Sequence, residues 1–216
     1  SALPLTHMIR LLVVDNHDSF VFNVVQLLRE HPRVSYTLIS EDELKGDEML
    51  CHDALLLSPG PGLPHEFPRM MKLIQASIGL YPMLGICLGH QALALSFGAK
   101  LRQLPHPLHG HAAELTHIDT QDPVVGQLPE RSIVGRYHSW VVDEDSLPEE
   151  LLPTAHTHAA DHTRYELMAL RHKTLPIYGV QFHPESMITE HGKLYINGFI
   201  NAVERHLHQR NQPSTT

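Results

Sequence analysis

Residues 81–100 read YPMLGICLGHQALALSFGAK, and the pattern changes period partway along. A short apolar run, Pro82 to Ile86, meets a Gly-x-Cys-x-Gly turn made by Gly85, Cys87 and Gly89. Beyond it Leu88, Ala92 and Leu95 fall at i, i+4 and i+7, as on one face of a helix, and Gly98 closes the segment. A strand that enters a tight turn and leaves as a helix is the geometry of a nucleophile elbow, in which small neighbours let a strained turn present one side chain. Here that side chain is a thiol. A thiolate at a helix N-terminus is favoured by the unpaired N–H groups and the helix dipole, and the Leu88 N–H points to where an oxyanion would form. The competing reading is a structural cysteine packed as a small apolar group. The flanking glycines and the strand-to-helix context favour the nucleophile.

Upstream, Ile9–Val14 reads as a buried strand followed by the polar turn Asp15-Asn16-His17-Asp18. Ser19 is placed to cap a helix with Val21, Val25 and Leu28 on its apolar face, stopped by Pro32. Val34–Ile39 and Ala54–Leu57 are further strands, the latter running into Ser58-Pro59-Gly60-Pro61-Gly62-Leu63-Pro64. Glycines alternating with prolines make a stiff loop whose backbone can approach a ligand closely. It leaves the carboxyl end of a strand, where open parallel sheets bind ligands. A helix over about 67–78 leads to the elbow strand. The order β-α-β-β-α-β-α implies an α/β protein of three layers, a mainly parallel central sheet with helices on both faces.

The middle of the chain is less regular. Ala112–Ile118 and Ile133–Arg136 read as short strands of a small antiparallel element, with Pro123, Pro129, Pro148 and Pro153 marking loops. Leu167–Leu170 and Ile177–Phe182 are the last expected strands, and Ile196, Ile200 and Val203 lie on one face of a C-terminal helix. One domain is expected over residues 8–206, with a short extension at 1–7 and a polar tail over 207–216, disordered from Gln209.

The bulk properties exclude several classes of function. With 216 residues, 42% hydrophobic and 19% charged, the chain has enough material for one large core. A formal charge of −8 without a Lys/Arg run argues against nucleic acid or an anionic membrane as partner. Two cysteines, Cys51 and Cys87, give no disulfide framework and point to a reducing compartment, the cytoplasm. Nineteen histidines form two loose groups, His106/His109/His111 and His156/His158/His162, neither on a ligand framework, so no metal site is expected.

A thiolate nucleophile needs a general base. Directly after the strand IYGVQF comes His183-Pro184-Glu185, where the proline holds His183 extended. Side chains two apart on extended backbone share a side, so Glu185 can fix the tautomer and orientation of the His183 ring. Cys87, His183 and Glu185 together propose acyl transfer through a thioester. The residues alone do not name the acyl group.

Five motifs in combination resemble the class I (triad-type) glutamine amidotransferases: DNHDSF (15–20), SPGPGLP (58–64), GICLGHQ (85–91), RYHSWVV (136–142) and GVQFHPES (179–186). The resemblance spans about Ile9 to His206. It is nearest to the small glutaminase subunit of anthranilate synthase and of aminodeoxychorismate (para-aminobenzoate) synthase, component II. It implies a flavodoxin-like three-layer fold, with Cys87 as nucleophile, His183 as base and Glu185 as its orienting acid. It also implies that Gly60-Pro61-Gly62 lines the glutamine site and lends an N–H to an oxyanion hole with Leu88. Gln91, and Ser139 with Trp140, match positions that hold the α-amino and α-carboxylate groups of glutamine. The implied partner is a chorismate-binding synthase subunit that receives the ammonia and itself needs magnesium, with no cofactor in this chain.

Departures from the pattern are local. His109-Gly110-His111 replaces the usual His-Gly-Lys, and Trp140 stands where leucine is usual. RYHSWVV favours the chorismate-pathway enzymes over the glutaminases of carbamoyl-phosphate and GMP synthetases. VVDEDSLP (141–148) is slightly closer to the para-aminobenzoate branch than to the tryptophan branch, and the choice stays open. Two other functions compete: a regulatory or binding subunit without turnover, and a hydrolase of unrelated esters built on the same elbow.

Overall fold

Strand β1 (Ile9–Asp15) is the sequence IRLLVVD, and Leu11, Leu12, Val13 and Val14 are all 0% exposed. Apolar residues on both sides of a strand demand cover on both faces of its sheet. The computed structural model, which describes residues 8–212, supplies that cover. The expected extension at 1–7 and residues 213–216 lie outside the described residues.

After β1 come α1 (Val21–Arg29), β2 (Val34–Ser40), β3 (Ala54–Leu57), α2 (Pro68–Ser77), β4 (Met83–Ile86) and α3 (Leu88–Ser96). The chain continues through β5 (Leu101–Gln103), β6 (His111–Glu114), β7 (Ile133–Arg136) and β8 (Trp140–Val142). It ends with β9 (Leu151–His158), β10 (Tyr165–His172), β11 (Ile177–Val180) and α4 (Gly192–Arg210). One seven-stranded sheet runs β2-β1-β3-β4-β11-β10-β9, and β5–β8 and β6–β7 form two small sheets. From β2 to β11 every neighbouring pair is parallel, while β10 and β9 extend the sheet antiparallel. The first four positions, 2-1-3-4, follow the flavodoxin-like order.

Alternation along the strands sorts the side chains between the faces. Leu11, Val13 and Leu56 pack with Val24 and Leu28 of α1 and with Ile196, Ile200 and Val203 of α4. Leu12, Val14, Leu55 and Leu57 pack with Met70, Leu73 and Ile74 of α2 and with Leu88, Ala92 and Leu93 of α3. The three-layer, mainly parallel architecture with small antiparallel additions is therefore the one the sequence implies.

Several local expectations change. Ser19 caps nothing: α1 begins at Val21 with no side-chain cap at Phe20, and the Phe20 N–H is instead taken by Asp18 Oδ1 at 3.1 Å. The strand expected over 112–118 shortens to β6, because Thr116 leaves it to bridge His156. Pro153 sits inside the edge strand β9 rather than in a loop, a place where a missing N–H is tolerated. Strands β5 and β8 were too short to show a period. Helix α4 runs to Arg210 with Leu207 in the core, so the domain boundary at 206 falls inside it.

The elbow's glycines serve close approach. A Cβ on Gly85 would stand 2.6 Å from the His90 nitrogen, and one on Gly89 would stand 2.6 Å from Leu57 Cβ. Helix α3 can therefore sit directly on β3 and β4 only with no side chain at either position. Gly89→Ala should lower the unfolding free energy by about 1–3 kcal/mol, as overpacking does. Urea denaturation checks this, and a wild-type midpoint would show that α3 can lift away freely.

Candidate active site

Strand β4 ends at Ile86 and α3 begins at Leu88, so Cys87 is the whole turn. Its φ of 54° and ψ of −103° lie where a side chain is costly, about 1–3 kcal/mol, and the surrounding bonds hold it there. The Cys87 N–H donates to Val180 O at 2.8 Å, continuing the β4–β11 ladder, and Gln91 N–H donates to Cys87 O at 3.0 Å. At its far end α3 closes as a Schellman motif, with Gly98 N–H on Leu95 O and Ala99 N–H on Ala94 O. The Leu88 N–H belongs to the first turn of α3 and has no acceptor within the helix. The thiol is 5% exposed at residue level, reached through a cavity and not displayed on the surface.

Strand β11 is the neighbour of β4 and also ends on the same side. Three residues past it, His183 donates its N–H to Gly135 O at 3.1 Å, and Thr189 Oγ1 donates to His183 O at 2.6 Å. These bonds fix the loop. The His183 ring joins Glu185 through Nδ1 and Oε1 at 2.5 Å, with the Glu185 side chain 2% exposed. Tyr137 packs edge-on against the imidazole, ring centres 5.0 Å apart. His183 Nε2 is buried with no hydrogen-bond partner of good geometry. Burial disfavours a charged ring, yet the Cys87 thiolate and the Glu185 carboxylate together raise its proton affinity well above the ordinary histidine value. The imidazolium is thereby stabilised.

The cavity beside Cys87 holds about 360 Å³, the size of a small-molecule site. All seven positions expected to meet substrate line it with Cys87: Gly60, Pro61, Gly62, Leu88, Gln91, Ser139 and Trp140. Leu63, Glu66, Tyr137 and His138 also face it. The glycine loop is clamped from two directions. A Cβ on Gly60 would meet Asn16 Cβ at 2.8 Å and Leu88 Cδ2 at 2.9 Å. Asn16, fully buried after β1, ties to this loop through its N–H on Ser58 Oγ at 2.9 Å and its Nδ2 on Ser58 O at 3.0 Å. Gly62, at φ +76°, lies against Glu66, whose Oε2 accepts from Leu63 N at 2.6 Å.

Gln91 is less open than its expected role implies. Its Nε2 donates to Trp140 O at 2.9 Å and to Gln181 Oε1 at 3.1 Å, which leaves only Oε1 for a ligand. An acceptor there suits an α-ammonium group and not a carboxylate. Asp18 approaches Glu185 and His183 from the β1–α1 loop. Burial and the nearby Glu185 charge raise its carboxyl, and its Oδ2 has no partner. His90 and His138 are held neutral, both pushed down to about 3, chiefly by burial. Asp18, Tyr137, His138 and Gln181 lie inside motifs visible in the sequence, but nothing local marks them as site residues. Glu66 carried no signal at all.

The family described as Glutamine amidotransferase class-I matches residues 12–203. Anthranilate synthase component 2 of Pseudomonas aeruginosa is 40% identical over 192 residues, covering 88% of this chain and 94% of that protein. Aminodeoxychorismate synthase of Streptomyces griseus is 41% identical over 202 residues, covering 91% of this chain and 26% of that longer protein. Among solved structures, a candidate GMP synthase component from Thermoplasma acidophilum superposes with a TM-score of 0.82 at 28% identity, covering 95% of this chain and 99% of that one.

Because the thiolate of Cys87 is the largest influence raising His183, Cys87→Ser should move the His183 titration down toward the ordinary value of about 6.5. Imidazole ¹⁵N NMR reads it. The sign is that of a cation losing its partner: the protonated ring persists to higher pH in the wild type than in the variant. An unchanged midpoint would mean that Glu185 alone sets it.

Proposed function

The chain belongs to the class-I glutamine amidotransferase family, and we propose that it is the glutaminase subunit of a chorismate-using synthase. The carrying observation is the juxtaposition of Cys87 with the buried His183–Glu185 pair at the ends of two adjacent parallel strands, beside a cavity of glutamine size. The Cys87 thiolate attacks the side-chain amide carbon of glutamine. The C=O pair moves onto oxygen, which the Leu88 N–H and the Gly60–Gly62 backbone stabilise. As the tetrahedral adduct collapses, the C–N bond breaks and the proton on His183 Nε2 goes to the leaving nitrogen, giving ammonia and a glutamyl thioester. Neutral His183 then takes a proton from water, which attacks the thioester, and glutamate leaves as the thiolate and imidazolium reform. Glu185 keeps the ring's tautomer throughout.

Gln91 Oε1 receives the α-ammonium of the substrate, with Ser139 and Trp140 at its amino-acid end. On this proposal the chain needs no metal or cofactor, and magnesium serves the synthase partner. Relatives named anthranilate synthase component 2 and aminodeoxychorismate synthase support a chorismate-using partner, with the product being either of the two. We take the compartment to be the cytoplasm: Cys51 and Cys87 are both free thiols, and no helix of the described residues is long and apolar enough to cross a membrane. The second reading, a regulatory subunit without turnover, keeps the same surface but leaves the filled triad without a purpose.

Cys87→Ser, mixed with the synthase, chorismate and glutamine, should lose glutamine-dependent product formation by about a thousandfold or more while ammonia-dependent synthesis stays intact. Equal glutamine-dependent rates in variant and wild type would establish the regulatory reading. Assaying anthranilate against aminodeoxychorismate with each candidate synthase identifies the branch.

A further inference from the structure

We propose that Gln181 is a further catalytic residue, whose side-chain N–H holds the Cys87 sulfur in its thiolate form and is aimed there by the Trp140 carbonyl acting through the Gln91 amide. The inference rests on the reading of Cys87 as nucleophile and extends it to a residue with no role so far.

The oxygen and nitrogen of a glutamine amide look alike, so their assignment must come from the network around them. Arg136 is 0% exposed and pairs with Glu166, itself 4% exposed, at 2.7 Å. A guanidinium can only donate. Its Nε donates to His138 Nε2 at 3.1 Å, which makes Nε2 the acceptor and puts the ring's proton on Nδ1. Nδ1 in turn donates to Trp140 O at 2.7 Å. A peptide oxygen can only accept, so the Gln91 atom at 2.9 Å from it is nitrogen. That nitrogen also meets the Gln181 side chain at 3.1 Å, which must therefore offer oxygen. The remaining amide nitrogen of Gln181 lies 3.5 Å from Cys87 Sγ and donates to it. Turning either amide round would set two acceptors or two donors face to face. Gln181 is 0% exposed and Gln91 3%, so water cannot relieve such a clash.

Other groups around the sulfur pull in both directions. The Tyr137 carbonyl, 3.8 Å from Sγ, accepts from a neutral thiol, and the Asp18, Glu66 and Glu185 carboxylates oppose a thiolate. His90 and His138 are uncharged, and the Tyr137 hydroxyl is engaged with Ser186 Oγ at 2.8 Å. On the thiolate side stand the His183 imidazolium, the N-terminus of α3 and the Gln181 N–H. The last two act at the sulfur without carrying a charge of their own, and a hydrogen bond to an ion is about twice as strong as one to a neutral atom. The balance is simple. The thiol proton passes to His183 Nε2, the S–H electron pair stays on sulfur, and Gln181 keeps its own proton while donating.

The experiment follows the rate of Cys87 alkylation by iodoacetamide against pH, in the full chain carrying Cys51→Ser so that a single thiol reacts. Gln181→Met removes the donor, and Gln181→Glu puts an acceptor in its place. Each should raise the half-maximal pH by about one unit or more, making alkylation near neutral pH about tenfold slower. Gln91→Glu should do the same without touching sulfur, because an acceptor at that position turns the Gln181 amide round. A half-maximal pH equal to wild type in the folded variants overturns the proposal. A second measurement needs no variant at position 181 or 91: the Gln181 side-chain amide signals in NMR should titrate together with the thiol, and signals that stay still through that titration also overturn it. Neither readout uses glutamine. Failure of the glutaminase reading, seen as no glutamate release with the synthase, is therefore distinct from failure here.

Discussion

The pairing of β4 with β11 is the contact on which the site depends. The two strands run parallel in the register Gly85 with Gly179 and Ile86 with Val180, and the bond from Cys87 N–H to Val180 O carries that register one residue past the strand end. Cys87 and His183 therefore follow neighbouring strands that run in the same direction, although they stand far apart in the chain. A slip of one residue would turn Cys87 to the opposite face of the sheet and separate it from His183. The register is held by the burial of both strands, each covered on two sides.

Around that pairing the molecule uses glycine wherever backbone must come close to backbone. Gly85 and Gly89 bring α3 down onto the sheet, Gly179 lies against the buried His90 ring, and Gly60 is pressed between Asn16 and Leu88. Each lets one more element reach the carboxyl end of the sheet. The cavity sits at the ends of β3 and β4 and not at the reversal of strand order between β1 and β3. The glycine loop and the elbow, both stiff, occupy those ends.

The polar groups inside the site are few and strongly coupled. Arg136 and Glu166 form a buried ion pair, His138 and His90 are pushed toward the neutral form, and His183 is the one ring of the three whose proton affinity is raised. Burial works against charge at all three rings. Of the three, only His183 has Cys87 and the Glu185 carboxylate close enough to reverse it, so position, and not residue type, separates His183 from His90 and His138.

Much of this was present in the amino-acid order. The run ALLL at 54–57, the helix face of Leu88 and Ala92, the face of Ile196, Ile200 and Val203, and the switch from strand to helix at Cys87 all follow from local apolar periodicity, which a single segment carries. The family motifs likewise set the expected cavity positions on residues that the fold brings together. What no segment carries is direction between segments. That Asp18 comes close to Glu185 and His183, that Glu66 braces Gly62, and that Gln181 faces sulfur while held by Gln91 and the Trp140 carbonyl depend on side chains meeting from separate strands and loops. The short strands β5 and β8 were hidden for the same reason: three residues show no period, and their identity comes from the partner they pair with. Sequence alone determined the elements and the chemistry available to them, and tertiary packing decided which of those groups are dry, charged and within reach of one another.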